Sequence, residues 1–154
     1  MNDRVIGWAL VAVQGVLLAV LGLLPGSDHW PTPTWVETVS QVAFYAGLAI
    51  IAVAALRLGR ALTPTPVPTA AGELTTTGLY RFARHPIYSG VLLVVFAMTF
   101  RSGHLVALAV GIVTYGFFHF KAQWEEARLA ATYPGYADYA STTPRFFPRI
   151  WPQR

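Results

Sequence analysis

This sequence predicts an all-α integral membrane protein of about four transmembrane helices, ending in a helical hairpin. Three observations predict it. Hydrophobic residues make up 55% of the 154 and charged residues only 12%, where soluble domains carry about 25% charged residues. Four apolar runs stand apart from one another, two of them long enough to cross a bilayer. Lysine and arginine flank these runs with a strong bias to one side. Mean hydropathy, at +0.48, agrees.

The first run, 5–24, contains only Gln14 as a strongly polar residue. About 20 residues cross a hydrocarbon core of roughly 30 Å, whereas the apolar core of a signal peptide is shorter, and no small-x-small cleavage pattern follows cleanly. It reads as a retained helix. Pro25 and Gly26 open a loop that Pro31 and Pro33 close. The second run, 35–58, also spans. A long connection, 59–85, carries Pro64, Pro66 and Pro68 at alternate positions, a density that forbids helix and favours extended chain. The third run, 86–100, is short for a span. It either tilts into a thinned region or begins deeper in the protein. Arg101-Ser102-Gly103-His104 is a tight turn, so the fourth run, 104–120, returns antiparallel to the third. Good helix formers continue it into water as far as Ala131, and Pro134 and Gly135 stop it. The rest of the segment 121–154 reads as an irregular aromatic tail, with Phe146, Phe147 and Trp151 suited to the headgroup zone. The whole chain, 1–154, reads as one membrane domain.

Orientation follows from the basic residues. With four spans, Arg4, Arg57, Arg60, Arg81, Arg84, Lys121, Arg128, Arg145, Arg149 and Arg154 fall on one side and Arg101 alone on the other, ten against one of the 11 present. Both termini are then expected in the cytoplasm. The net charge of +4 is accounted for by this topology, which leaves no case for a nucleic-acid partner. The absence of cysteine excludes disulfides, thiolate metal sites and a cysteine nucleophile. No HExxH motif, P-loop or GxGxxG is present.

Two polar clusters lie on the cytoplasmic side and are brought together by the hairpin. The first is the stretch from Gly78 to Gly90 (GLYRFARHPIYSG), at the start of the third helix. Pro86 suits a first helical turn, Gly90 permits a close helix approach, and the backbone N–H groups of this helix start offer an anion site beside Arg84 and His85. Arg81 reads best as a snorkelling anchor. The second cluster, Lys121 to Leu129 (KAQWEEARL), ends the fourth helix. Lys121 and Glu125 share a helix face at i, i+4, and Glu125 is expected to face the first cluster while Glu126 is the more solvated of the pair. Gln14 and Gln41 are expected to bond between helices, and His104 and His119 to be interfacial.

The pattern Gly78-x-Tyr80-x3-Arg84-His85-Pro86-x-Tyr88-x-Gly90, followed by Glu125-Glu126-x2-Leu129 and Tyr136-x2-Tyr139, resembles the isoprenylcysteine carboxyl methyltransferase family and the related membrane phospholipid methyltransferases. The resemblance covers about residues 72–148. It implies S-adenosylmethionine bound on the cytoplasmic side without a Rossmann domain, held by Glu73, Leu74, Tyr80, His85, Pro86, Tyr88 and Glu125. It further implies a lipophilic acceptor reached from the bilayer, with Lys121 or Arg84 positioning the acceptor's anion. Eukaryotic members carry an arginine where this chain has Lys121, which keeps the charge but loses the bidentate fork. The implied reaction is methyl transfer to a carboxylate, as in protein-S-isoprenylcysteine O-methyltransferases; a phospholipid amine or a small thiol is the alternative acceptor. Membrane sterol reductases, which use NADPH, share part of the C-terminal pattern, but Ile87 and Val91 depart from their motif. A non-enzymatic scaffold using the small residues Gly7, Ala12, Gly15, Ala19 and Gly22 is the remaining class. It gives the two polar clusters no reason to coincide.

Overall fold

A computed structural model of the protein describes residues 2–27, 29–59, 62–63, 65 and 73–148. The prolines Pro64, Pro66 and Pro68, together with Arg60, Arg149, Trp151 and Arg154, lie outside the described residues. Among the described residues all regular structure is helical. The helices are α1 (Asp3–Leu23), α2 (Thr34–Leu58), α3 (Pro86–Ser102), α4 (Leu105–Thr132) and α5 (Tyr136–Thr142), with a 3₁₀ turn at Gly78–Arg81. α1, α2 and α4 are long and apolar enough to cross a membrane, and α3 is a shorter apolar helix. Large apolar side chains such as Leu23, Leu56, Val16 and Ile112 stand exposed along these helices, as a lipid-facing surface requires.

The helix ends have local causes. Asn2 caps α1 by accepting from the Arg4 N–H at 3.2 Å, and Pro33 precedes α2. Gly103, with φ of 62°, closes α3 in the left-handed region that only glycine adopts without cost. His104 then caps α4, its Nδ1 accepting from the Val106 N–H at 3.0 Å. This is the expected tight hairpin. α4 runs to Thr132 as one helix, and the stop at Pro134-Gly135 falls where expected. The tail differs from expectation. Tyr136–Thr142 forms α5, too short to leave a periodic signal in the sequence.

α3 sits at the centre, packed most extensively on α2 and also against α4 and α1. Its 17 residues extend only about 26 Å at 1.5 Å per residue, and Leu92 and Val95 on it are fully buried. α2 and α3 cross at Gly47 and Gly90. A Cβ on Gly90 would lie 2.7 Å from the Gly47 carbonyl oxygen and 2.7 Å from the Ile51 Cγ1. Gly90→Ala is therefore expected to push the helices apart and to lower stability by about 1–3 kcal/mol, read as a lower unfolding midpoint in detergent. α1 packs on α4 and α3. Its Gln14 meets Lys121, its Asp3 meets Arg128, and its Leu21 joins Val95 and Ala107 in one apolar cluster. Those contacts run antiparallel along α4. The start of α1, the end of α2, the start of α3 and the end of α4 therefore share one end of the bundle. All the described basic residues except Arg101 are at that end.

Candidate active site

The segment before α3 is held by the tail. The backbone N–H of Arg84 donates to the Pro144 carbonyl at 2.8 Å, and that of His85 to the Arg145 carbonyl at 2.9 Å. Ser89 Oγ donates to the carbonyls of Phe146 (2.5 Å) and His85 (3.0 Å). The Phe146 ring is buried with Leu92, Phe118 and Ala122 and meets His119 edge-on at 4.9 Å. The backbone N–H groups of Arg84 and His85, which lead into α3, are thus committed within the protein.

Glu126 is the hub of the arrangement. Its Oε1 accepts from Arg84 Nε (3.0 Å) and Nη2 (2.9 Å) and from Arg145 Nε (3.1 Å), and lies 3.1 Å from His85 Nε2. Its Oε2 accepts from Arg145 Nη2 at 2.7 Å. The side chain is 13% exposed. Glu126 is therefore an internal brace, not the more solvated member of the pair that the sequence suggested. Arg84 is equally committed. Beyond Glu126, its Nη1 donates to the carbonyls of Ala140 and Thr143. Charge-assisted bonds of this kind are about twice as strong as neutral ones, so the group holds α3, α4, α5 and the tail together.

Glu125 points differently. Its Oε2 accepts from the Tyr88 hydroxyl at 2.6 Å and lies 3.7 Å from His85 Nδ1. The Tyr88 ring stacks on His85 at 5.1 Å with planes 3° apart. Lys121 Nζ lies 5.0 Å from the Tyr88 centroid, within the range of a cation–π attraction. Lys121 is only 4% exposed. Its Nζ donates to Gln14 Oε1 at 2.5 Å, across from α4 to α1. A buried ammonium has three donors to satisfy, and no carboxylate lies within salt-bridge distance of it among the described residues.

These groups line one cavity of about 270 Å³. Every residue that the resemblance assigned to cofactor or acceptor borders it: Lys121 and Glu125 from α4, Pro86 and Tyr88 from α3, Arg84 and His85 just before it, Tyr80 from the 3₁₀ turn, and Glu73 and Leu74 from the connection. Val11 and Gln14 of α1, Leu58 of α2, Val91 of α3, Leu129 of α4, and Tyr136 and Tyr139 of α5 also border it, so the lining mixes apolar, polar and aromatic side chains. The Tyr139 hydroxyl donates to the Tyr80 carbonyl at 2.5 Å. Burial pushes the Tyr80 and Tyr136 hydroxyls well above the usual phenol range and Tyr139 up to about 12, with Glu125 adding to the shift at Tyr80 and Glu126 at Tyr136. All three keep their protons at neutral pH.

Sequence reasoning missed the part played by Glu126 with Arg145, and gave Gln14 only a helix-bonding role although it also borders the cavity. The acidic pair EE was the available signal for Glu126. The partner Arg145 stands 19 residues further on, beyond a turn. Arg81 is an exposed residue whose guanidinium covers Phe82 at 4.7 Å.

A membrane bundle with this pair of motifs on one cavity defines a class. The chain belongs to the phospholipid methyltransferase family, whose model matches residues 36–135. With its long apolar helices it is an integral membrane protein of a methyltransferase family. It is similar to the cobalt-zinc-cadmium resistance protein CzcN of Cupriavidus metallidurans, 28% identical over 150 residues that cover 97% of this chain and 65% of that protein. It is likewise similar to the nickel-cobalt-cadmium resistance protein NccN of Alcaligenes xylosoxydans xylosoxydans, 28% identical over 146 residues that cover 94% of this chain and 65% of that protein. The chain thus spans slightly under two thirds of the length of these relatives. Among the described residues no group of three His, Asp or Glu side chains is placed to hold a metal ion.

Proposed function

We propose that the protein is an S-adenosylmethionine-dependent membrane methyltransferase that transfers a methyl group to the carboxylate of a lipophilic acceptor, at a site facing the cytoplasm. One observation carries this reading. Residues of both motifs converge on one cavity lined by aromatic, polar and apolar side chains. The residues suit the cofactor. Glu125 presents a carboxylate for ribose hydroxyls or an ammonium, and Tyr80, Tyr88, Tyr136 and Tyr139 bring flat rings to the lining. When bound, S-adenosylmethionine supplies an electrophilic methyl group on a sulfonium.

The chain's own residues would then do the following. Glu73, Leu74, Tyr80, His85, Pro86, Tyr88 and Glu125 hold the cofactor. Lys121, buried and bonded only to Gln14 among the polar groups of the described residues, holds the acceptor's anion; Arg84, spent on Glu126 and two carbonyls, positions the wall instead. Val11, Leu58 and Val91 receive the apolar part of the acceptor and keep water from its head. A carboxylate stripped of water is a competent nucleophile, so no proton has to be removed, and alignment carries the catalysis. With an amine or thiol acceptor, His85 is the base. The cytoplasmic placement is supported by the bias of basic residues, ten against one.

The test is calorimetric titration of the detergent-purified protein with S-adenosylmethionine, S-adenosylhomocysteine and NADPH. Binding of the adenosyl ligands alone is expected. NADPH binding without them would replace this reading with a reductase, and binding of none by a folded sample would leave a scaffold. Once an acceptor is found by screening, Lys121→Met is expected to lower kcat/KM by about 10- to 100-fold, the worth of a bond to a charged group. S-adenosylhomocysteine affinity in the same variant should stay within about threefold.

A further inference from the structure

The α3–α4 hairpin has a second concave face besides the one that borders the cavity. A groove of about 330 Å³ is lined there by Phe96, Thr99 and Phe100 of α3 and by Leu108, Gly111 and Ile112 of α4. Nine residues at 100° each place Ile112 on the side of α4 away from Lys121, and Ile112 and Phe100 are exposed. Gly111 lets the helices come close at Thr99, since a Cβ on it would lie 2.7 Å from Thr99 Oγ1. From the groove a line of rings leads to the basic end of the bundle. Phe96 meets Tyr115 at 6.0 Å, Tyr115 meets His119 edge-on at 4.7 Å, and His119 Nδ1 lies 3.4 Å from Arg145 Nη1.

We propose that this seam binds one anionic phospholipid of the bilayer, with its phosphate on Arg145 and one acyl chain running past Tyr115 into the groove. The site is separate from the methyl-transfer cavity, and the lipid in it is not the methyl acceptor. Charge and length together name the occupant. Arg84 and Arg145 share one carboxylate, Glu126, which leaves one positive charge over. The Arg145 side chain is 24% exposed, and among the described residues its Nη1 bonds only to His119. Nη1 carries two N–H groups, so one is available to a phosphate oxygen in a charge-assisted bond. Along α4, His119 stands seven residues from Ile112 and eleven from Leu108, or about 10 and 16 Å. Half of a hydrocarbon core is about 15 Å, so an acyl chain hanging from a phosphate beside Arg145 reaches the groove within its own leaflet. A soluble anion would use the charge without the groove, and an uncharged lipid the groove without the charge.

The experiment is native mass spectrometry of the full chain in detergent, titrated with phosphatidylglycerol and with phosphatidylcholine of the same acyl chains. One phosphatidylglycerol is expected to bind about tenfold more tightly than phosphatidylcholine. Arg145→Lys, which keeps a charge beside Glu126 but loses the fork, is expected to bring the two lipids nearly level. Ile112→Trp fills the groove from an exposed position; it is expected to weaken phosphatidylglycerol by about threefold or more through lost packing, with an unchanged unfolding midpoint. Because Arg145 also braces Glu126, the Ile112 variant decides if Arg145→Lys unfolds. Phosphatidylglycerol carrying a diazirine midway along one acyl chain is expected to label residues within 96–112. Equal affinity for the two lipids in the wild type would overturn the proposal, leaving ordinary bilayer contact. So would phosphatidylglycerol binding indifferent to Ile112→Trp. Label on Val11, Leu58 or Val91 would overturn it as well, by placing the phospholipid in the cavity. S-adenosylhomocysteine binding by the same samples, expected to be unaltered by Ile112→Trp, tests the methyltransferase reading separately.

Discussion

Glu126→Gln is expected to be the most damaging single substitution at the site. The carboxylate takes bonds from Arg84 and Arg145 and faces His85, with only 13% of its side chain exposed. Glutamine keeps the shape but removes the charge, leaving two guanidinium groups crowded around a neutral amide whose own N–H groups would point at them. Breaking a buried ion pair by removing one partner costs about 3–5 kcal/mol, because the other charge stays buried and unpaired. The expected results are a markedly lower unfolding midpoint in detergent and release of the tail, read as increased proteolysis near Pro144. A variant as stable as the wild type would show that Glu126 braces nothing.

Glu125→Ala, one residue away, is expected to behave in the opposite manner. Its carboxylate holds one short hydrogen bond, from Tyr88, and it faces the cavity. The fold should survive with an unfolding midpoint near that of the wild type, while S-adenosylhomocysteine affinity falls by about 100-fold, or about 2.7 kcal/mol. The pair of measurements, stability and affinity on each variant, separates the two glutamates. Glu126→Gln loses chiefly the first and Glu125→Ala chiefly the second. Retained affinity in Glu125→Ala would remove Glu125 from the cofactor site.

Neighbouring glutamates on one helix diverge because successive residues point about 100° apart. That much is legible in a sequence. What each direction meets is not. Glu125 finds its partner on α3 and Glu126 finds Arg145 on the tail. The spans themselves were legible, since length and apolar content determine them, and the boundaries of α2, α3 and the hairpin turn fall within two residues of those expected. The convergence of both motifs followed from one inference, that a tight turn at Gly103 folds α4 back along α3. Two things had no local signature. α5 is seven residues long, and about two turns of helix cannot show periodicity. The bond between Gln14 and Lys121 joins residues 107 apart, and nothing near either residue points to the other. Gly47 carries the same lesson. Its partner Gly90 stands out beside a motif, but Gly47 is one small residue in an apolar run, and only the crossing geometry shows that it cannot carry a side chain.

The tail contacts set an order of events for biogenesis. Pro144, Arg145 and Phe146 close the site by bonding to Arg84, His85, Glu126 and Ser89, yet they follow all four long helices in the chain. Synthesis runs from the N-terminus, so α1, α2 and α3 can enter the bilayer and pair before those three residues leave the ribosome. Membrane insertion and acquisition of a finished pocket are thus separate steps for this protein. A chain interrupted after Thr132 would have its bundle in the membrane and no competent pocket.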